Sequence, residues 1–95
     1  MDDAIAVLVT YVYILRCVDD RLYVGFTEDL HARLARHQDG KASAFTAARR
    51  PVTLVFTETY ATRESAAARE QQIKRWSRAK KEAPIAGDLA LLKRL

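Results

Sequence analysis

The 95 residues, 49% of them hydrophobic, are enough for one small domain and too few for two. A formal net charge of +4 suits a polyanionic partner, and no apolar run approaches the roughly 18 residues of a membrane span. The acidic start Met1-Asp2-Asp3 does not read as a secretory signal, and the lone Cys17 excludes an internal disulfide and a cysteine-based zinc site, so a reducing cytoplasm is the expected compartment.

Residues 4–9 read as the lead-in to a strand over 9–16, in which Tyr11, Tyr13 and Leu15 share one face and Val12, Ile14 and Arg16 the other. Cys17-Val18-Asp19-Asp20 reads as a turn, and 21–26 as the returning strand of a hairpin. A turn centred near Val18 sets Tyr13 almost opposite Tyr23. Thr27 or Asp29 caps a helix over about 28–38, whose inward face carries Leu30, Leu34 and His37 with Arg33 between them. Gly40 suits its stop, and 39–50 reads as a small, basic loop.

Pro51 opens a third strand that runs through Val52, Leu54 and Phe56 to Tyr60. Thr62 caps a long helix over about 63–76, with Ala66, Glu70, Ile73 and Trp76 on one stripe. Ser77 starts a short helix that Pro84 and Gly87 end, and 88–95 read as a terminal amphipathic turn or helix. The order β-β-α-β-α-α predicts an α+β fold: a small three-stranded antiparallel sheet flanked by helices, forming one domain over 1–95 with its core at about 10–85.

The charges are uneven. Arg33, Arg36, Lys41, Arg49 and Arg50 crowd one stretch, and Arg69, Lys74, Arg75, Arg78, Lys80 and Lys81 another. Both face few acids, which favours one basic surface. Of these, Arg36, Lys41, Arg49, Arg50, Lys74, Arg75 and Arg78 are the candidate nucleic-acid contacts. They would grip phosphates without reading sequence.

Glu70 is the sharpest local signal. A carboxylate on an apolar stripe is costly unless paired, with Arg33 as the candidate partner, or bound to a metal. Arg33 and His37 lie one turn apart and reach one spot, where a guanidinium fork fits a phosphate and an imidazole passes a proton. Read alone, they also fit a solvated basic face. Tyr13 and Tyr23 fit ordinary strand aromatics; a phenol with a pKa near 10 serves as a base only where cations stabilise its phenolate. Gly25 lets a phosphate or another chain approach the backbone closely.

Together these residues resemble the GIY-YIG nuclease family, in particular its small single-domain, URI-type bacterial members. Tyr11-Val12-Tyr13 stands where the family has Gly-Ile-Tyr, with Tyr11 replacing the glycine, and Tyr23-Val24-Gly25 stands for Tyr-Ile-Gly. Arg33, His37 and Glu70 match in spacing. Phe45-Thr46-Ala47-Ala48-Arg49-Arg50-Pro51-Val52 resembles the small members' Thr-x-x-Arg-Arg-Pro loop, and residues 73–81 also resemble them.

The resemblance implies a divalent-metal endonuclease using Mg2+, or Mn2+. Tyr13 would be the general base, helped by Tyr23 or His37; Arg33 would neutralise the phosphate, and Glu70 would hold the metal. Larger members place an asparagine near the metal; this chain has none, and Lys74 or Ser77 is what could fill that space. It implies DNA as substrate, single-stranded or branched, with RNA not excluded, in repair, recombination or nucleic-acid processing. The expected state is a monomer or homodimer with no membrane. The alternatives are a non-catalytic nucleic-acid-binding module and a nuclease subunit active only with a protein partner; Leu89, Leu91, Leu92 and Leu95 fit packing onto the domain better than a contact surface for such a partner.

Overall fold

Strands β1 (Thr10–Arg16), β2 (Leu22–Thr27) and β3 (Thr53–Tyr60) form one antiparallel sheet in the order β2-β1-β3. This is a computed structural model, and it describes residues 8–87. The expected strand lead-in at 4–7 and the terminal leucines lie outside the described residues.

β1 is the spine. Its alternation sends side chains to both faces, and both are covered, so Val12, Tyr13, Ile14 and Leu15 are all 0% exposed. On one face Val12 and Ile14 meet Val24, Ala66 and Ile73, ringed by Phe26, Phe56, Trp76 and Ile85. On the other, Tyr13 and Leu15 join Cys17 and Val52 against Tyr23, Leu30, Leu34 and Phe45. Each fully buried aliphatic side chain contributes about 1.5–3 kcal/mol. β1 therefore holds the sheet between two helical layers.

The layers follow from caps and stripes. α1 (Leu30–Gln38) starts at Asp29, whose side chain accepts from the Ala32 N–H, while Thr27 supports that cap through the Asp29 N–H. α3 (Arg63–Lys74) starts at Thr62 and buries Ala66, Glu70 and Ile73, the spacing of one helical face. α4 (Arg78–Ile85) is capped by Ser77. Pro84 lies in its last turn rather than ending it, and the helix stops before Gly87, whose φ of 76° suits glycine.

Three expectations change. The segment expected as a loop contains a short helix, α2 (Ala44–Ala47), because Ser43 accepts from the Thr46 N–H and caps it. The third strand begins at Thr53, and Val52 is instead bracketed by the Gln38 side-chain amide at 2.6 and 3.1 Å. The hairpin turn spans one residue more than expected, with Asp20 at φ 72°. Tyr23 therefore pairs with Leu15, and Tyr13 with Gly25. A bulge between Ile14 and Leu15 shifts the β3 pairing from Phe56 to Leu54. Arg16, Asp20, Glu82 and Arg78 form a charged network that ties the hairpin turn to α4.

Candidate active site

The shifted register decides how the two tyrosines meet. Tyr13 sits beside Gly25, and its ring lies across β2. A Cβ at residue 25 would fall 2.5 Å from the Tyr13 hydroxyl oxygen and 2.7 Å from Cζ. The close approach expected at Gly25 is thus made by the chain's own phenol. Tyr23, diagonal in the ladder, still brings its ring centroid to 6.4 Å from that of Tyr13.

His37 closes the group from α1. It is 0% exposed, and its ring stands edge-on to Tyr23 at 5.1 Å and to Tyr13 at 5.7 Å. Nε2 lies 2.8 Å from the Tyr13 hydroxyl, and Nδ1 lies 2.8 Å from Thr46 Oγ1. Thr46 is also fully buried; its hydroxyl donates toward the Ser43 carbonyl and lies 2.9 Å from Ser43 Oγ.

With the Thr46 hydrogen directed to Ser43, Thr46 Oγ1 accepts from Nδ1–H. Nε2 is then the acceptor, and Tyr13 donates to it. Burial, with Arg33 and Arg36 nearby, holds the imidazole below its ordinary pKa.

Tyr13 carries the opposite pressure. Burial and the neighbouring Tyr23 push its pKa up to about 12, while the positive charge of Arg33 opposes this and the negative charge of Glu70 adds to the rise. Tyr13 thus feels both Arg33 from α1 and Glu70 from α3.

Glu70 is the one buried carboxylate among the described residues, at 8% exposure. Its ion-pair partner there is Lys74 at 3.5 Å, not Arg33, and Gln71 adds a hydrogen bond at 3.2 Å. No cluster of three or more His, Cys, Asp or Glu able to hold a metal occurs among the described residues. A single carboxylate still fits a hard divalent cation that keeps waters and takes its remaining ligands from a substrate phosphate.

The basic residues divide. Arg49 bonds Asp19 and the Phe45 carbonyl and lies 4.0 Å from the Phe45 ring centroid; Arg50 bonds the Ala47 and Gln38 carbonyls. Both clamp α2 between the hairpin and α1. Arg36 bonds the Lys41 carbonyl, and Arg78 is held by Asp20 and Glu82. Lys41, Lys74 and Arg75 are exposed.

Two contributors escaped sequence reasoning. Thr46 and Ser43 hold the back of His37, and the available signal was the Ser43-x-x-Thr46 spacing of a helix cap inside an apparent loop.

Comparison with known proteins identifies the family of this domain. The model of the GIY-YIG catalytic domain matches residues 9–83. A UPF0213 protein of Bacillus pumilus is 46% identical over 72 residues, covering 76% of this chain and 74% of the relative. The UPF0213 protein YazA of Bacillus subtilis is 42% identical over 72 residues, covering 76% and 73%. The solution NMR structure of a UPF0213 protein from Bacillus halodurans superposes with a TM-score of 0.55 at 35% identity, covering 93% of this chain and 97% of that one. The chain belongs to the GIY-YIG catalytic domain family, alongside the small UPF0213 proteins.

Proposed function

We propose that this chain is a metal-dependent endonuclease that hydrolyses phosphodiester bonds in DNA, selective for single-stranded or branched substrates. It works in the cytoplasm, in repair, recombination or nucleic-acid processing. The observation that carries this is the hydrogen-bonded run Tyr13–His37–Thr46, with Arg33 and Glu70 both acting on the Tyr13 phenol.

Tyr13 is the general base toward the attacking water, and His37, with Nε2 2.8 Å from the phenol oxygen, orients it. Burial keeps the phenol protonated at neutral pH, so loss of its proton needs positive charge nearby. Arg33 supplies part of it and pairs with the phosphate as its charge grows, the electrostatic contribution that usually dominates such reactions. Tyr23 packs edge-on against the imidazole and keeps it in line. Thr46 braces the imidazole from behind through its 2.8 Å contact with Nδ1.

Glu70 would hold Mg2+ or Mn2+, which when bound supplies positive charge at the phosphate and the departing 3′ oxygen. Lys74 would then move from Glu70 toward the strand. Lys41 and Arg75 are exposed candidate phosphate contacts, Lys74 would join them once released from Glu70, and Arg36, Arg49, Arg50 and Arg78 add positive field from fixed positions.

A second reading, a binding module without catalysis, is favoured by one observation: Lys74 already neutralises Glu70. A cleavage assay on single-stranded, duplex and branched DNA, with Mg2+, Mn2+ or a chelator, tests the first against the second. Divalent-dependent cutting, strongest on single-stranded or branched DNA, is the expected result. Intact substrate under every condition, with binding retained, supports the second reading.

A further inference from the structure

Beside Tyr23 the edge of the sheet opens into a depression of about 210 Å3 lined by Leu22, Tyr23, Val24, Phe45, Lys74 and Lys81. It shares Tyr23 with the candidate active site. Tyr23 is the ring that abuts His37, and Lys74 is the cation that touches Glu70.

Its lining is aromatic and aliphatic, with two lysines. Phe45 and Tyr23 lie with ring centroids 6.1 Å apart at 31°. The Arg49 guanidinium braces the Phe45 ring at 4.0 Å and is itself fixed by Asp19. Phe45 is therefore a rigid ring that is still only half buried. β2 is an edge strand, so the groove is bordered by backbone donors and acceptors outside the sheet ladder.

From this we infer that the groove is a subsite for one unpaired nucleobase adjoining the phosphate that pairs with Arg33, with Phe45 as the stacking surface and Lys74 and Lys81 gripping the neighbouring backbone. The inference rests on the nuclease reading and adds what selects the strand. Drug-sized ligands occupy roughly 300–1,000 Å3, so about 210 Å3 suits a single ring system and not a base pair. A base inside a duplex has both faces stacked and cannot offer one to Phe45. Stacking on an aromatic beside positive charges is how sequence-tolerant single-strand binders work.

The test is binding in the presence of a chelator, so that it does not depend on cutting. The wild-type chain is titrated with a fluorescent single-stranded oligonucleotide and with an abasic backbone of the same length. Base stacking is worth about 1–3 kcal/mol, so the base-bearing strand should bind roughly 5- to 150-fold more tightly. In Phe45→Leu the two strands should bind within about twofold of each other, at the ratio expected when stacking is lost. Lys81→Ala should weaken both strands alike.

A 2-aminopurine strand gives a reading that needs no variant: its fluorescence should fall on binding. Equal wild-type affinity for the two strands overturns the inference, as does a folded Phe45→Leu chain that keeps full discrimination. No binding to either strand also overturns it. Failure of the nuclease reading would show separately, as absent cleavage with base-dependent binding intact.

Discussion

Gly25→Ala is the substitution whose consequence the structure specifies most fully. The new Cβ would lie 2.5 Å from the Tyr13 hydroxyl oxygen, 2.7 Å from Cζ and 3.1 Å from Cε2. Tyr13 is 0% exposed and pinned to His37, so its ring has no solvent to swing into. Either β2 shifts, which as overpacking costs about 1–3 kcal/mol, or the phenol moves and leaves Nε2 of His37 buried without a partner, which costs about as much.

A loss of about 2 kcal/mol lowers Tm by roughly 8–16 °C in a domain of this size. Misplacing a reacting group by about 1 Å can cost on the order of 100-fold in rate, so cleavage should fall further than stability alone explains. Thermal unfolding by circular dichroism and single-turnover cleavage measure the two losses. Tyr13→Phe, which removes the 2.5 Å contact and leaves the ring carbons, should partly relieve the stability loss when combined with Gly25→Ala. A Gly25→Ala chain as stable and as active as wild type would refute the placement of Tyr13 over β2.

Thr46→Val keeps the shape and removes the acceptor for Nδ1–H. It should destabilise the chain by about 1–3 kcal/mol and shift the imidazole tautomer read by 15N NMR, whereas Thr46→Ser should restore both; an unchanged tautomer in Thr46→Val would sink this role. His37, held below its ordinary pKa chiefly by burial, binds fewer protons folded than unfolded. Its contribution to stability is therefore complete above the unfolded pKa of about 6.5 and is lost as pH falls through that value toward the lower folded pKa. Urea titrations across that range should show the decline in wild type and a flatter profile in His37→Gln. DNA affinity carried by phosphate contacts should fall steeply with salt, and anisotropy titrations that give the same affinity at low and moderate salt would count against the basic surface.

The helical positions were legible because a 3.6-residue period needs no knowledge of partners. Glu70, four residues after Ala66 and three before Ile73, had to face inward, and His37 had to share a face with Leu30 and Leu34. What each would touch was not legible. The His37 contact with Tyr13 spans 24 residues of sequence and depends on where α1 crosses the sheet.

The hairpin register turned on a single residue, since Asp20 takes a left-handed conformation that no short pattern demands of it. That residue moved Tyr23 from opposite Tyr13 to opposite Leu15, and gave Gly25 the task of admitting the phenol. Charge was legible as composition and not as pairing. Arg49 and Arg50 look like phosphate ligands in a basic loop, yet α2 turns that loop so that both bond internal carbonyls. Thr46 was invisible as a site residue because a hydroxyl in a small, polar segment has many uses, and only the fold puts it behind an imidazole.

The central claim is that Tyr13, His37, Arg33 and Glu70 form one phosphodiester-cleaving centre. Its most direct test is single-turnover cleavage of single-stranded DNA by Glu70→Gln with Mg2+ present, beside affinity for the same strand measured in a chelator. The account predicts that cutting falls by on the order of 100-fold or more, in line with the loss of a charge-stabilising group, while affinity stays within a few fold of wild type. Cutting that persists at the wild-type rate in Glu70→Gln would contradict it.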